Sequence, residues 1–239
     1  MTEIGVSDRL KQNYDDYYRS DEAEWRRLGA IDKAANIIRL CGSVPHRSII
    51  EIGAGEGAIL ARLAELGFGD ELYAVEISAS GVESIERRCI PGLAESRLFD
   101  GSRVPYGDQR FDVAVMSHVL EHVEHPRQLL YEAARVARFV FIEVPLEDIS
   151  RMPRDFVFDR VGHINHYSAR TVRWLMQSSG LRVLQQLVTN PSKATYRYGG
   201  GSAALVNFYV KELLLRMLPG TAMRHFSYHC SLLCEADHG

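Results

Sequence analysis

The stretch "SIIEIGAGEGAIL", Ser48 to Leu60, sets Gly53, Gly55 and Gly57 between an apolar run and a run with helical spacing. Glycine at such a junction permits unusual backbone angles and lets a ligand reach main-chain N–H groups with no Cβ in the way. The helix that follows offers its first N–H groups to polar ligand atoms. The outline is a nucleotide-binding turn, and it has two readings. Gly53, Gly55 and Ala58 fit the dinucleotide fingerprint G-x-G-x-x-G/A, which implies NAD. Gly53, Gly55 and Gly57 fit a G-x-G-x-G turn instead. Glu76, in "LYAVEIS", can accept ribose hydroxyls in either case.

Strand-like and helix-like runs alternate on both sides of this turn. The strand candidates are "RSIIEIG", "ELYAVEI", "SRLF", "FDVAVMSH", "RFVFIEVP", "LRVLQQLVTN" and "FSYHCSLLCEA", with helices expected at 57–66, 79–89, 126–137 and 168–179. Most of the strands are apolar without strict alternation, as expected when helices cover both faces of a parallel sheet. Residues 15–40 read as a helix with Trp25, Leu28, Ile31, Ala35 and Ile38 at three- and four-residue steps. Residues 191–225 break the rhythm. A loop, "KATYRYGGG", precedes an amphipathic run at 202–217, which reads either as a lid or substrate wall or as a helix covering core.

Composition narrows the function class. A chain of 239 residues, 46% hydrophobic and 25% charged, fits one large globular domain. A net charge of −3 gives no global footprint for nucleic acid or anionic membrane. Four cysteines are too few for a disulfide scaffold, and Cys230 and Cys234 lack CxxC spacing, so reduced thiols in a cytoplasm are expected. The N-terminus carries no charged-then-apolar signal pattern. The longest apolar stretch is interrupted by Lys211, Glu212 and Arg216, so no transmembrane helix is expected.

Three downstream segments separate the two readings of the turn. "SRLFDGSRVPYGDQRFDVAVMSHVLEHVEHP" puts Asp100 and Gly101 after the third strand, then Ser117-His118-Val-Leu-Glu121-His122 after the fourth. "VGHINHYSARTVRWLMQSSGLRVL" follows. With the glycine turn, this ordered series resembles class I S-adenosylmethionine-dependent methyltransferases, in particular the small-molecule branch with the ubiquinone-biosynthesis type. The resemblance covers roughly residues 14–190 and the final strand. It implies an α/β, Rossmann-like, doubly wound seven-stranded sheet, mostly parallel, with an antiparallel last strand beside the fifth and helices on both faces. The single domain expected over 1–239 then comprises an N-terminal helical cap (1–44), a core (45–190 and 226–239) and, where the rhythm breaks, an insertion (191–225).

The resemblance implies the following site. Glu51 and the turn Gly53, Gly55 and Gly57 would hold the methionine part of S-adenosyl-L-methionine. Glu76 would take the ribose hydroxyls and Ile77 the adenine face, with Asp100 and the Gly101 N–H near the adenine amino group. Ser117 and His118 would border the reactive methyl, and Tyr17, or Tyr14 or Tyr18, would close over the sulfonium. His118, His122 and Glu121 are the catalytic candidates, because histidine titrates near neutrality; a role in orienting loops is the competing reading for Glu121 and His122. No metal is assigned. A metal-assisted alternative would use His118, Glu121 and His122, completed by His163 or His166.

The expected reaction is methyl transfer to O, N or C of a small molecule, with no nucleic-acid partner. The competing functions are an NAD-dependent oxidoreductase and a methyltransferase-like binding module without catalysis.

Overall fold

The computed structural model describes residues 23–153 and 162–236. Seven strands form one sheet: β1 Ser48–Ile52, β2 Glu71–Glu76, β3 Leu93–Leu98, β4 Phe111–Ser117, β5 Ala137–Pro145, β6 Leu181–Thr189 and β7 His229–Ala236. Among the described residues seven helices accompany them: α1 Ala23–Cys41, α2 Ala58–Glu65, α3 Ala79–Arg87, α4 Pro126–Val136, α5 Ala169–Gln177, α6 Lys193–Met217 and α7 Pro219–His225. The strand order is β3-β2-β1-β4-β5-β7-β6. The pairs among β1 to β5 are parallel, and β7 runs antiparallel between β5 and β6. The expected fold class is therefore the observed one.

The absence of alternation in the strand sequences has a direct cause. On β1, Ile50 and Ile52 face one core while Ile49 faces the other; on β4, Ala114 and Met116 oppose Val113 and Val115. One core packs against α4, α5 and α7, through Leu129, Leu130, Ala133, Val172, Met176 and Ala222. The other packs against α1, α2 and α3, through Ala34, Ile37, Leu60, Leu63 and Ile85. With apolar residues needed on both faces, a two-residue period cannot survive.

Two helical expectations need correction. The buried face of α1 is Leu28, Ala30, Ala34, Ile37, Leu40 and Cys41, whereas Trp25 is 41% exposed and Ala35 faces solvent. Of the expected stripe Leu28 is buried and Ile31 and Ile38 are half-buried, while Ile37 and Leu40 lie deeper. "KATYRYGGG" is not a loop. Its first residues are helical, and Ser192 caps them by accepting from the Thr195 N–H. The break falls at Gly200 and Gly201, where Gly201 has φ 62° and ψ −155°, a conformation closed to other residues. Beyond it, α6 exposes Val206, Tyr209, Val210, Leu213 and Met217. The short α7, started by Pro219, was not expected, and β7 begins at His229 rather than at Phe226.

Candidate active site

Strands β1, β2 and β4 are parallel neighbours, so their C-terminal ends open along one edge of the sheet. In the turn after β1, Gly53, Gly55 and Gly57 all have positive φ, at 76°, 57° and 75°. The turn folds onto β2: the Gly53 and Ala54 N–H groups donate to Val75 O at 2.8 and 3.2 Å. Glu76 closes it. Its Oε2 accepts from the Gly55 N–H at 2.8 Å and its Oε1 from the Ser78 N–H at 3.1 Å. Gly57 is the N-cap of α2 and supplies no capping side chain, so the first turn of that helix has no side-chain cap.

Gly81 was not anticipated. A Cβ there would stand 2.7 Å from Glu76 Cγ and 2.8 Å from Gly55 O, so α3 can seat against the turn only through glycine. Gly81→Ala is expected to cost about 1–3 kcal/mol of stability by overpacking, measurable by urea unfolding.

Beneath the turn, Glu51 is 2% exposed and its Oε2 has no hydrogen-bond partner among the described residues. Burial pushes its carboxyl up to about 8, with the Glu76 charge adding and Lys33 opposing. A carboxyl raised above its unfolded value of ~4.3 binds more protons in the native state, so its contribution to stability is lost as pH rises from ~4.5 to ~8. Glu51→Gln removes that loss. Its melting temperature relative to the parent protein is expected to be more favourable at pH 8 than at pH 5, a gain of ~1–2 kcal/mol in thermal melts.

Asp100 sits in the turn after β3, where its Oδ1 accepts from the Ser102 and Arg103 N–H groups at 2.8 and 2.9 Å. These bonds outweigh its partial burial and hold its carboxyl below the usual range. Gly101 beside it has φ 83°. Ile77, just after β2, packs partly buried on the core. Tyr14, Tyr17 and Tyr18 lie outside the described residues.

At the end of β4 the backbone turns through His118, a non-glycine residue at φ 58°, and its N–H donates to Glu143 O at 2.8 Å. The His118 ring lies between two buried carboxylates. Its Nδ1 is 3.2 Å from Glu121 Oε1, a charge contact without hydrogen-bond alignment, and its Nε2 is 3.6 Å from Glu143 Oε1. Burial and Lys33 disfavour its charge, but the two carboxylates outweigh them and raise its pKa. Burial would also raise Glu121, yet His118 and His122 hold it below the ordinary value. Ser117 turns its hydroxyl to Glu143 Oε1 at 3.4 Å.

Sequence reading missed the centre of this cluster. Glu143 on β5 is fully buried; its Oε2 accepts from Asn36 Nδ2 and from Ser231 Oγ, each at 2.7 Å. His229 on β7 stands 3.7 Å from Glu143 Oε1 and meets the His118 ring edge-on at 4.7 Å between centroids. Burial pushes His229 down to about 3. One signal was present: a lone acid in "RFVFIEVP", a strand otherwise suited to apolar cover on both faces.

The expected single set of His118, Glu121 and His122 divides in two. Glu121, His122 and His163 bring their polar atoms within 4.8 Å of one another, as do His118, Glu143 and His229. His122 Nδ1 faces Gly162 O at 3.3 Å, and burial lowers its pKa. His163 Nδ1 is 2.7 Å from Glu147 Oε2, and His166 Nδ1 is 3.6 Å from the same oxygen.

A methyltransferase-domain family model matches residues 23–186. Over 114 residues, 48% of this chain and 43% of the relative, the chain is 26% identical to the demethylmenaquinone methyltransferase of Renibacterium salmoninarum. Over 147 residues it is likewise 26% identical to the ubiquinone biosynthesis O-methyltransferase of Hahella chejuensis, covering 57% of this chain and 54% of that one. The chain thus spans about half the length of these curated relatives. In structure it is similar to the geranyl diphosphate C-methyltransferase of Streptomyces coelicolor A3(2), solved with S-adenosyl-L-homocysteine, with TM-score 0.68, 12% identity and coverage of 96% and 99%. These matches set aside the dinucleotide reading of the turn, and the chain belongs to the methyltransferase domain family, the class I S-adenosylmethionine-dependent methyltransferases.

Proposed function

We propose that this chain binds S-adenosyl-L-methionine in the Gly53–Gly57 turn and passes its methyl group to an O, N or C nucleophile of a small molecule. The supporting observation is the buried, unpartnered Glu51 Oε2 beneath a glycine turn that Glu76 closes, beside a helix start with no side-chain cap. That arrangement suits an ammonium-bearing, hydroxyl-rich ligand. When bound, the cofactor supplies a sulfonium methyl with a neutral thioether as leaving group.

The protein's own residues hold, orient and exclude water. Glu51 and the turn take the aminoacyl end, Glu76 the ribose hydroxyls, Ile77 the adenine face, and Asp100 with Gly101 the adenine amino group. Ser117 and His118 border the methyl, and Tyr17 is assigned to the sulfonium side. Positioning of this kind supplies up to ~7–11 kcal/mol in well-oriented models. His122, which burial disposes to the neutral form, is the group fitted to take a proton from an acceptor hydroxyl or ammonium. Glu121 and His118 keep the end of β4 in place around it. Residues 191–225 form the acceptor wall, with the exposed apolar stripe of α6 suiting a partly hydrophobic acceptor.

Methyl-labelled S-adenosyl-L-methionine and a low-mass metabolite extract test the reading. Label is expected in a low-mass product, at a rate that falls in His122→Ala. Label confined to macromolecules, or no transfer by a protein that binds the cofactor, would contradict it.

A further inference from the structure

We propose that His118, Glu143 and His229 form a site for one divalent transition ion of the zinc class. The three come from the adjacent strands β4, β5 and β7: Ser117 pairs with Glu143, which pairs with Ser231, and His229 pairs with Pro145. Their candidate ligand atoms lie within 4.8 Å of one another. Glu143 Oε1 stands 3.6 Å from His118 Nε2 and 3.7 Å from His229 Nδ1. Both separations exceed the ~3.2 Å reach of an N–H···O bond. They approach the ~3.4 Å edge of a tetrahedron whose ligands lie ~2.1 Å from a central ion.

The supporting contacts hold these atoms in a ligating arrangement. Asn36 and Ser231 occupy Glu143 Oε2, which leaves Oε1 turned towards the two rings with, among the described residues, the longer Ser117 hydrogen bond at 3.4 Å. Glu121 stands behind His118 at Nδ1, 3.2 Å away, which places the second ring nitrogen, Nε2, towards Glu143. A carboxylate behind a ligating imidazole adds negative charge that raises its basicity towards a bound cation. His118 Nε2 is buried and makes no hydrogen bond among the described residues.

Two imidazoles and one carboxylate suit zinc and its transition-metal neighbours, not the oxygen-seeking magnesium or calcium. Three protein ligands leave a fourth position for an exogenous oxygen or nitrogen. It would lie on the side where the His118 and His229 side chains keep 20% and 19% of their surface, because the Glu143 side is sealed. Ion binding here does not depend on the methyl-transfer reading, though an acceptor heteroatom could occupy that fourth position.

Co²⁺ is the probe, added to the full chain after treatment with a chelator. One equivalent is expected to bind with visible d–d absorption, to be displaced by Zn²⁺, and to raise the melting temperature. His229→Ala and the bulkier His229→Gln, each checked for wild-type circular dichroism, are expected to weaken Co²⁺ binding at least tenfold, while His163→Ala leaves it unchanged. No Co²⁺ or Zn²⁺ bound by the folded wild-type protein at 100 µM would overturn the proposal. So would binding that survives both His229 substitutions but disappears in His163→Ala, which would move the ion to Glu121, His122 and His163.

Discussion

Glu76→Ala is expected to weaken S-adenosylhomocysteine binding about 100-fold. The carboxylate is 3% exposed and takes the Gly55 N–H at 2.8 Å and the Ser78 N–H at 3.1 Å. In the proposed site two ribose hydroxyls donate to this charged group at ~1.5–3 kcal/mol each, so losing both costs ~3 kcal/mol or more of binding. At ~1.4 kcal/mol per tenfold, that is two decades of affinity, whereas the lost Gly55 and Ser78 N–H bonds lower the stability of the turn. Glu76→Gln keeps the volume and one acceptor, and an intermediate loss of about tenfold is expected. Isothermal calorimetry gives the affinities, and melts of the free protein separate a collapsed turn from a lost ligand contact. Unchanged affinity in Glu76→Ala would refute the ribose assignment.

The largest stability effect is expected at Glu143. Its carboxylate is fully buried, and Asn36, Ser117, Ser231, His118 and His229 converge on it from α1, β4 and β7. Despite burial, the neighbouring His118, His229 and Ser231 hold it well below the ordinary carboxylate range, so it is ionised at neutral pH. Removing one member of such a network leaves the others buried and uncompensated, at ~3–5 kcal/mol. For Glu143→Ala this corresponds to a fall in melting temperature of roughly 6–20 °C, at ~2–4 °C per kcal/mol for a chain of this size. Glu143→Gln, which retains an acceptor for Asn36 and Ser231, is expected to lose less. A loss below ~1 kcal/mol in Glu143→Ala would mean that the network does not bind α1 to the sheet.

The parts of this fold that the sequence makes legible are those dictated by local chemistry. The central strands β1, β2, β4 and β5 stand out because both faces are buried, so each is close to a continuous apolar run. The glycine turn stands out because its backbone angles require glycine. Glu143 and His229 were missed for the opposite reason. They meet only because β7 inserts between β5 and β6, and Glu143 and its partner Ser231 are 88 positions apart in the chain. No local spacing encodes that pairing. The face of α1 was misread because its apolar residues fit two stripes: Leu28 belongs to both, but Ile37 and Leu40, not Trp25 and Ala35, are the buried members. Residues 193–199 were misread because the glycines of the break obscured the Ser192–Thr195 cap.

The division of His118, Glu121 and His122 into two clusters has a similar origin. Their spacing in sequence suggests one shared face, as on a helix. Instead, His118 occupies a positive-φ turn that points its ring towards β5 and β7, and His122 faces the segment carrying His163.

Titrating the protein with S-adenosylhomocysteine and, separately, with NAD tests the central claim most directly. The account predicts saturable binding of one S-adenosylhomocysteine per chain and no binding of NAD. Binding of NAD, or no heat of binding with S-adenosylhomocysteine, would contradict it.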